Sequence, residues 1–201
     1  MPPEFFSLQN VSRETCERLE AYVNLLKKWT GAINLIAPST TEDIWKRHIE
    51  DSAQLYPFVQ GAKRMADLGA GGGLPSVVLA ILGCGSVHAM ESDARKCTFL
   101  QECRRVLHLE KHMTVHHGRI ESVNPLGCDA IVSRACAPLD NLLRYAHRHL
   151  ASSGRCFFLK GKHIEHEISV ASRWQFDYAL HQSTTSPDGV ILELYNLESK
   201  V

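Results

Sequence analysis

The 201-residue chain has no surplus charge, since 22 acidic side chains balance 22 basic ones. A protein that coats nucleic acid through bulk charge is therefore excluded, although a local basic face is not. No window reaches the roughly 18 uninterrupted apolar residues of a membrane span. The start, Met-Pro-Pro-Glu-Phe-Phe, lacks the basic opening and long apolar core of a signal peptide, so a cytoplasmic protein without a membrane partner is expected. The seven cysteines are odd in number and include no C-x-x-C pair. That pattern argues against a zinc site and a disulfide framework, and leaves the thiols as small buried hydrophobes. Internal repeats and low-complexity stretches are also missing.

What is present suits an ordinary globular protein: 44% hydrophobic and 22% charged residues. From Arg13 to Trp29, the residues Leu19, Tyr22, Val23, Leu26 and Trp29 fall at helical spacing, with Ser12 as N-cap. "TEDIWKRHIEDSAQLYPFV" predicts a second helix ending near Pro57, so residues 1–60 read as a helical cap. Beyond it, residues 61–201 alternate short strands and helices. Strands are predicted at Arg64–Leu68, Ser86–Glu91, Met113–His117, Asp129–Ser133 and Arg155–Lys160. The helices between and after them are predicted at Leu74–Leu82, Asp93–Leu107, Pro138–Leu150 and His163–Trp174. Such alternation implies an α/β fold with a mostly parallel, Rossmann-like sheet and right-handed crossovers. "FDYALHQSTT" and "VILELYNL", around the turn "SPDG", predict an antiparallel hairpin at its C-terminal edge.

"MADLGAGGGLPSVVLAIL" places Gly69, Gly71 and Gly73 between the first strand and a helix. Glycines there let the chain turn sharply and let a ligand approach bare backbone. Glu91 ends the second strand, where an acid commonly accepts hydrogen bonds from ribose hydroxyls. The dinucleotide pattern G-x-G-x-x-G fails from Gly69, because Leu74 takes the third glycine position. G-x-G-x-G preceded by Asp67 fits a methyl donor better, since the aspartate can face the ammonium of a methionine moiety. Among the histidines, His163 and His166 lack a third metal ligand and read as a solvated helix face. His116 and His117 point to opposite sides of a strand, so no metal site is expected.

Several motifs follow in order along the chain: "KKWTGAINLIA", "RHIEDS", "DLGAGGGLP", "ES" at Glu91–Ser92, "GRIE" at Gly118–Glu121, "VSRA" at Val132–Ala135 and "LKG" at Leu159–Gly161. Together they resemble the bacterial ribosomal RNA small-subunit methyltransferase G family, also called GidB. The resemblance implies a class I S-adenosylmethionine-dependent methyltransferase fold and methylation at N7 of one guanine of 16S rRNA, with the 30S subunit as partner. It implies a donor site using Gly69, Leu74, Ser92, Ile120, Glu121 and Arg134, and supports Glu91 as ribose acceptor. Ala70 stands where the family usually has threonine or serine, and Ser76 replaces a common glycine. Glu193 and Glu198 occupy the last strand, where a basic residue is usual.

Guanine N7 has a free lone pair and needs no deprotonation, so no catalytic base is expected. Rate should come from in-line alignment, with Asn34 and Arg134 as positioning residues. Arg134 would be repelled by a sulfonium and should bind the donor's carboxylate or an RNA phosphate; the alternative is a pairing with a structural acid. Arg119 and Lys160, near strand ends, are candidates for phosphate contact. With Arg47 beside them, His48 and Asp51 share one helix face and either line the pocket mouth with Asn34 or pack the helix onto the domain. A methyltransferase for a protein or small molecule, or a non-catalytic adenosine-ligand sensor, are the alternative functions.

Overall fold

A computed structural model describes residues 11–134 and 136–200. The Met-Pro-Pro-Glu-Phe-Phe start and Ala135 of "VSRA" lie outside the described residues. The first helix, α1 (Arg13–Thr30), begins at Ser12, whose hydroxyl accepts the Thr15 N–H. Leu19, Tyr22, Val23 and Leu26 form its buried stripe, as their spacing predicts. The expected second helix is broken up. It winds as a π-helix over Trp45–Glu50, continues as α-helix over Asp51–Ala53, and adds a short turn at Tyr56–Val59. Pro57 does not end it, because it falls in the first turn of that last piece, where a missing N–H costs nothing.

The sheet has seven strands: β1 (Arg64–Leu68), β2 (Ser86–Glu91), β3 (Met113–His117), β4 (Cys128–Arg134), β5 (Leu150–Lys160), β6 (Trp174–Gln182) and β7 (Val190–Ser199). Their spatial order is β3-β2-β1-β4-β5-β7-β6. The first five run parallel, while β7 is antiparallel to β5 and β6 antiparallel to β7. Between them lie α2 (Ser76–Ile81), α3 (Ala94–Val106), α4 (Leu139–His149) and α5 (Ile164–Val170). Strand order reverses at β1, so the crevice at the carboxyl ends of β1, β2 and β4 is where a ligand belongs.

Predicted strand bounds hold for β1, β2 and β3, whereas the helices overshoot. Asp93 is the N-cap of α3 rather than part of it; its carboxylate accepts the Arg95 and Lys96 N–H groups. The helix expected over His163–Trp174 stops at Val170. Trp174 instead opens β6, its indole N–H donating to Asp140 at 3.0 Å and its ring against His147. The "SPDG" turn sits inside a longer connection, 183–189, closed by Ser183 N–H to the Gly189 carbonyl.

Each face of the sheet carries a core. One buries Val77, Leu79, Phe99 and Leu100 with the cap residues Leu19, Tyr22 and Leu26. The other buries Leu139, Leu142, Leu143 and Ile164 against Ile131, Phe158 and Leu192.

Candidate functional site

Below the crevice, the loop from Gly69 to Gly72 is tied on three sides. Ala70 N–H donates to the Met90 carbonyl at 2.8 Å, Gly71 N–H to Glu91 Oε2 at 2.8 Å, and the Tyr22 hydroxyl to the Gly72 carbonyl at 2.5 Å. Glu91 is nearly buried, and its other oxygen accepts the Ser92 and Asp93 N–H groups at 2.7 and 2.8 Å. A carboxylate offers about four acceptor directions, so three backbone donors leave capacity for a hydroxyl. This loop floors a cleft of about 450 Å³. Leu74, Met90 and Ile120 give it apolar walls; Ser92, Lys96, Arg119, Glu121 and Arg134 give it polar ones.

The glycines differ in what they do. Gly69 and Gly71 line the cleft, at φ +72° and +56°. A Cβ on Gly71 would meet nothing nearer than the Gly69 carbonyl at 3.9 Å, so the bare backbone faces open space. Gly73, expected to serve ligand approach, is not in the cleft wall. A Cβ there would lie 2.4 Å from Val77 and 3.1 Å from Leu100, so this glycine serves packing. Gly72, which the alternating pattern skips, does line the cleft.

Asp67 is wholly buried beneath the loop rather than exposed in the cleft. One oxygen accepts the Ser76 N–H at 3.0 Å; the other has no hydrogen-bond partner among the described residues. Burial pushes its carboxyl up to about 6, opposed by Ser76 and Arg134. Ser76 makes this bond through its backbone N–H, as a glycine would; its buried hydroxyl has no hydrogen-bond partner among the described residues.

Arg134, at the end of β4, reaches the cap. Its Nη1 donates to the Arg47 carbonyl at 3.1 Å and to Asp51 at 3.3 Å, and its Nη2 to His48 Nδ1 at 3.1 Å. The pairing with an acid, weighed above as the alternative, is therefore present, and the same side chain lines the cleft. A guanidinium only donates, so His48 Nδ1 accepts and the ring proton sits on Nε2. That nitrogen meets the Thr40 hydroxyl at 2.7 Å, whose own proton goes to the Ala37 carbonyl. Burial, then Arg134 and Arg47, push His48 down to about 4.

A second cavity, of about 360 Å³, adjoins the first and shares Arg134 and Ala137 with it. Asp51, Leu142, Lys160 and residues of the 183–189 connection form its other walls. Lys160 donates to Glu167 at 2.7 Å and the Ala137 carbonyl at 3.3 Å, so its ammonium is already paired rather than open to a phosphate. Asn34 and the Arg47 side chain are exposed, and neither lines either of these two cavities. Glu193 is buried between Arg155 and His181; hydrogen bonds from these two outweigh the upward push of burial and hold its carboxyl below the usual range. This acid of the last strand therefore faces the sheet, while Glu198 is exposed.

The model of the rRNA small subunit methyltransferase G family, GidB, matches residues 15–194. The chain belongs to this family. Among curated relatives named ribosomal RNA small subunit methyltransferase G, that of Paramagnetospirillum magneticum is 48% identical over 195 residues, covering 96% of this chain and 94% of that protein. That of Gluconobacter oxydans is 42% identical over 195 residues, covering 96% and 100%. Solved structures share the fold at low identity. TYW2 of M. jannaschii, crystallised with AdoMet, aligns at TM-score 0.60 and 15% identity over 76% of each chain. A methyltransferase from Geobacter sulfurreducens aligns at 0.60 and 13%, over 94% of this chain and 93% of that one. The family's fold, a class I methyltransferase sheet closed by an antiparallel hairpin, is the one described above.

Proposed function

We infer that this chain transfers a methyl group from S-adenosylmethionine to N7 of one guanine of 16S rRNA, in the cytoplasm and on the small ribosomal subunit. The observation that carries this reading, beside membership of the family, is the tethered Gly69–Gly72 loop with Glu91 at a strand-order reversal. The residues present fit the donor. Gly71 offers bare backbone to open space, Glu91 keeps acceptor capacity for ribose hydroxyls, and Ile120 with Leu74 provides apolar surface for an adenine ring. Asp67 places a wholly buried acid beneath the loop, with one oxygen that has no hydrogen-bond partner among the described residues. Bound there, the donor supplies an electrophilic methyl carbon.

The protein's own task is alignment and exclusion of water. Guanine N7 attacks as a free lone pair, and no residue has to remove a proton first. Arg134 stands in the wall between the two cavities, and its Nε–H has no partner among the described residues. It is thus free to take an RNA phosphate oxygen without releasing Asp51. Lys96 and Arg119, at the cleft and without ion-pair partners among the described residues, serve RNA phosphates.

Nucleoside analysis of 16S rRNA from cells with and without this chain tests the reading. One 7-methylguanosine per small subunit should disappear on deletion and return with the wild-type chain. An unchanged nucleoside profile would refute it.

A further inference from the structure

Asp51 is gripped from two distant parts of the chain. Oδ2 accepts Arg134 at 3.3 Å, across 83 positions of sequence. Oδ1 accepts the Thr185 hydroxyl at 2.6 Å, across 134 positions, and the Gln54 amide nitrogen at 2.8 Å. Gln54 is itself buried, and its amide oxygen accepts the Thr184 N–H at 3.0 Å and the Thr184 hydroxyl at 3.3 Å. The same amide nitrogen also reaches the Thr185 hydroxyl at 3.3 Å, so both ends of one buried amide join the cap to the 183–189 connection. Among the described residues, all three hydrogen bonds of the Arg134 side chain go to residues 47–51. Its guanidinium can be no better placed than that segment is.

We propose that Thr185 and Gln54 are positioning residues for methyl transfer: through Asp51 they fix Arg134 in the wall shared by the two cavities. This rests on the reading of the first cavity as the donor site. Neither residue lines that cleft, whose floor is built independently from the glycine loop, Glu91 and Tyr22. Without its Thr185 and Gln54 donors, the partly buried Asp51 carboxylate, 20% exposed, is free to turn towards solvent, and the arginine fork loses its charged anchor. Misplacement by a fraction of a bond length then slows alignment while leaving donor binding intact.

The test uses the full-length chain, labelled S-adenosylmethionine and 30S subunits from cells lacking the modification. Thr185→Val keeps the shape and removes the hydroxyl; Thr185→Ser restores it. Thr185→Val should lower kcat on the order of tenfold, as loss of one hydrogen bond to a charged group does, with donor affinity within about twofold. Thr185→Ser should return close to the wild-type rate, and in an Arg134→Ala background Thr185→Val should cause no further loss. Gln54→Leu, followed with its melting temperature, should show the same split between kcat and donor affinity. Wild-type kcat in Thr185→Val, equal loss in the valine and serine variants, or full additivity with Arg134→Ala would each overturn the proposal alone. A wild-type chain that binds donor but methylates no guanine in 30S subunits would overturn the functional reading, and this proposal with it.

Discussion

Gly69, Gly71 and Gly73 all adopt positive φ, but an added methyl group meets different surroundings at each. At Gly73 it would press on Val77, the second residue of α2, and on Leu100 of α3. Gly73→Ala should therefore lower the unfolding free energy by about 1–3 kcal/mol, visible as a reduced urea midpoint, while the folded fraction keeps near-normal donor affinity. At Gly71 the methyl would stand in the cleft. Gly71→Ala should cost about 1–2 kcal/mol for its left-handed backbone and weaken donor binding on the order of tenfold or more, as calorimetry would show. Equal effects of the two variants on donor affinity would contradict this division. The alternation of glycines was legible in the sequence as a loop, and Glu91 as its acid. The separate duties were not, because the contact of Gly73 with Val77 exists only once α2 has folded back onto the loop. Likewise, Arg134 was legible as a site residue, but not its hold on Asp51 and His48, which depends on packing across more than 80 positions of sequence.

Among the elements, α1 does more than cover the sheet. Tyr22, which in sequence is one member of an apolar stripe, spends its hydroxyl on the Gly72 carbonyl inside the core. Tyr22→Phe should destabilise the fold by about 1 kcal/mol and loosen the donor loop, raising the donor Kd several-fold in a titration; an unchanged Kd would show that the other two tethers suffice. The strands are the most legible elements, since β1, β2 and β3 are five- or six-residue segments set off by glycines or charged residues on either side. Helix ends were read too long wherever tertiary contacts stop them, as where Trp174 leaves the helical path to meet Asp140 and His147. The π-helical turn at Trp45–Glu50 has no signature in residue spacing. It is nonetheless the segment that presents His48 and the Arg47 carbonyl to Arg134, a place where such turns often occur.

At the scale of the molecule, equal numbers of acidic and basic residues limit what electrostatics can supply. Affinity for the ribosomal particle must come largely from shape, so raising salt from 50 to 200 mM should weaken 30S binding by less than about a hundredfold. A steeper slope would mean more phosphate contacts than Lys96, Arg119 and Arg134 can make. The response to acid follows from buried histidines. His48 and His88 are pushed down to about 4, mainly by burial, and burial also lowers His116 and His149. Between the ordinary histidine range and pH 4 the unfolded chain therefore binds more protons, and stability is lost as pH falls through that window. Asp67, raised to about 6, acts in the opposite direction and offsets part of the loss, because its folded carboxyl takes up a proton earlier than the unfolded one. Urea midpoints measured from pH 7.5 down to 4.5 should fall; a rise would show that Asp67 dominates.

The central claim is transfer of one methyl group to one guanine N7, with Arg134 at the junction of the two cavities. Its most direct test is transfer of labelled methyl from S-adenosylmethionine to 30S subunits and to naked 16S rRNA from cells lacking the modification. The label would be located by strand cleavage at 7-methylguanine, with Arg134→Ala in parallel. Label is expected at a single guanine, greatly reduced in the variant. Donor binding without label on either substrate, or label undiminished by Arg134→Ala, would contradict it.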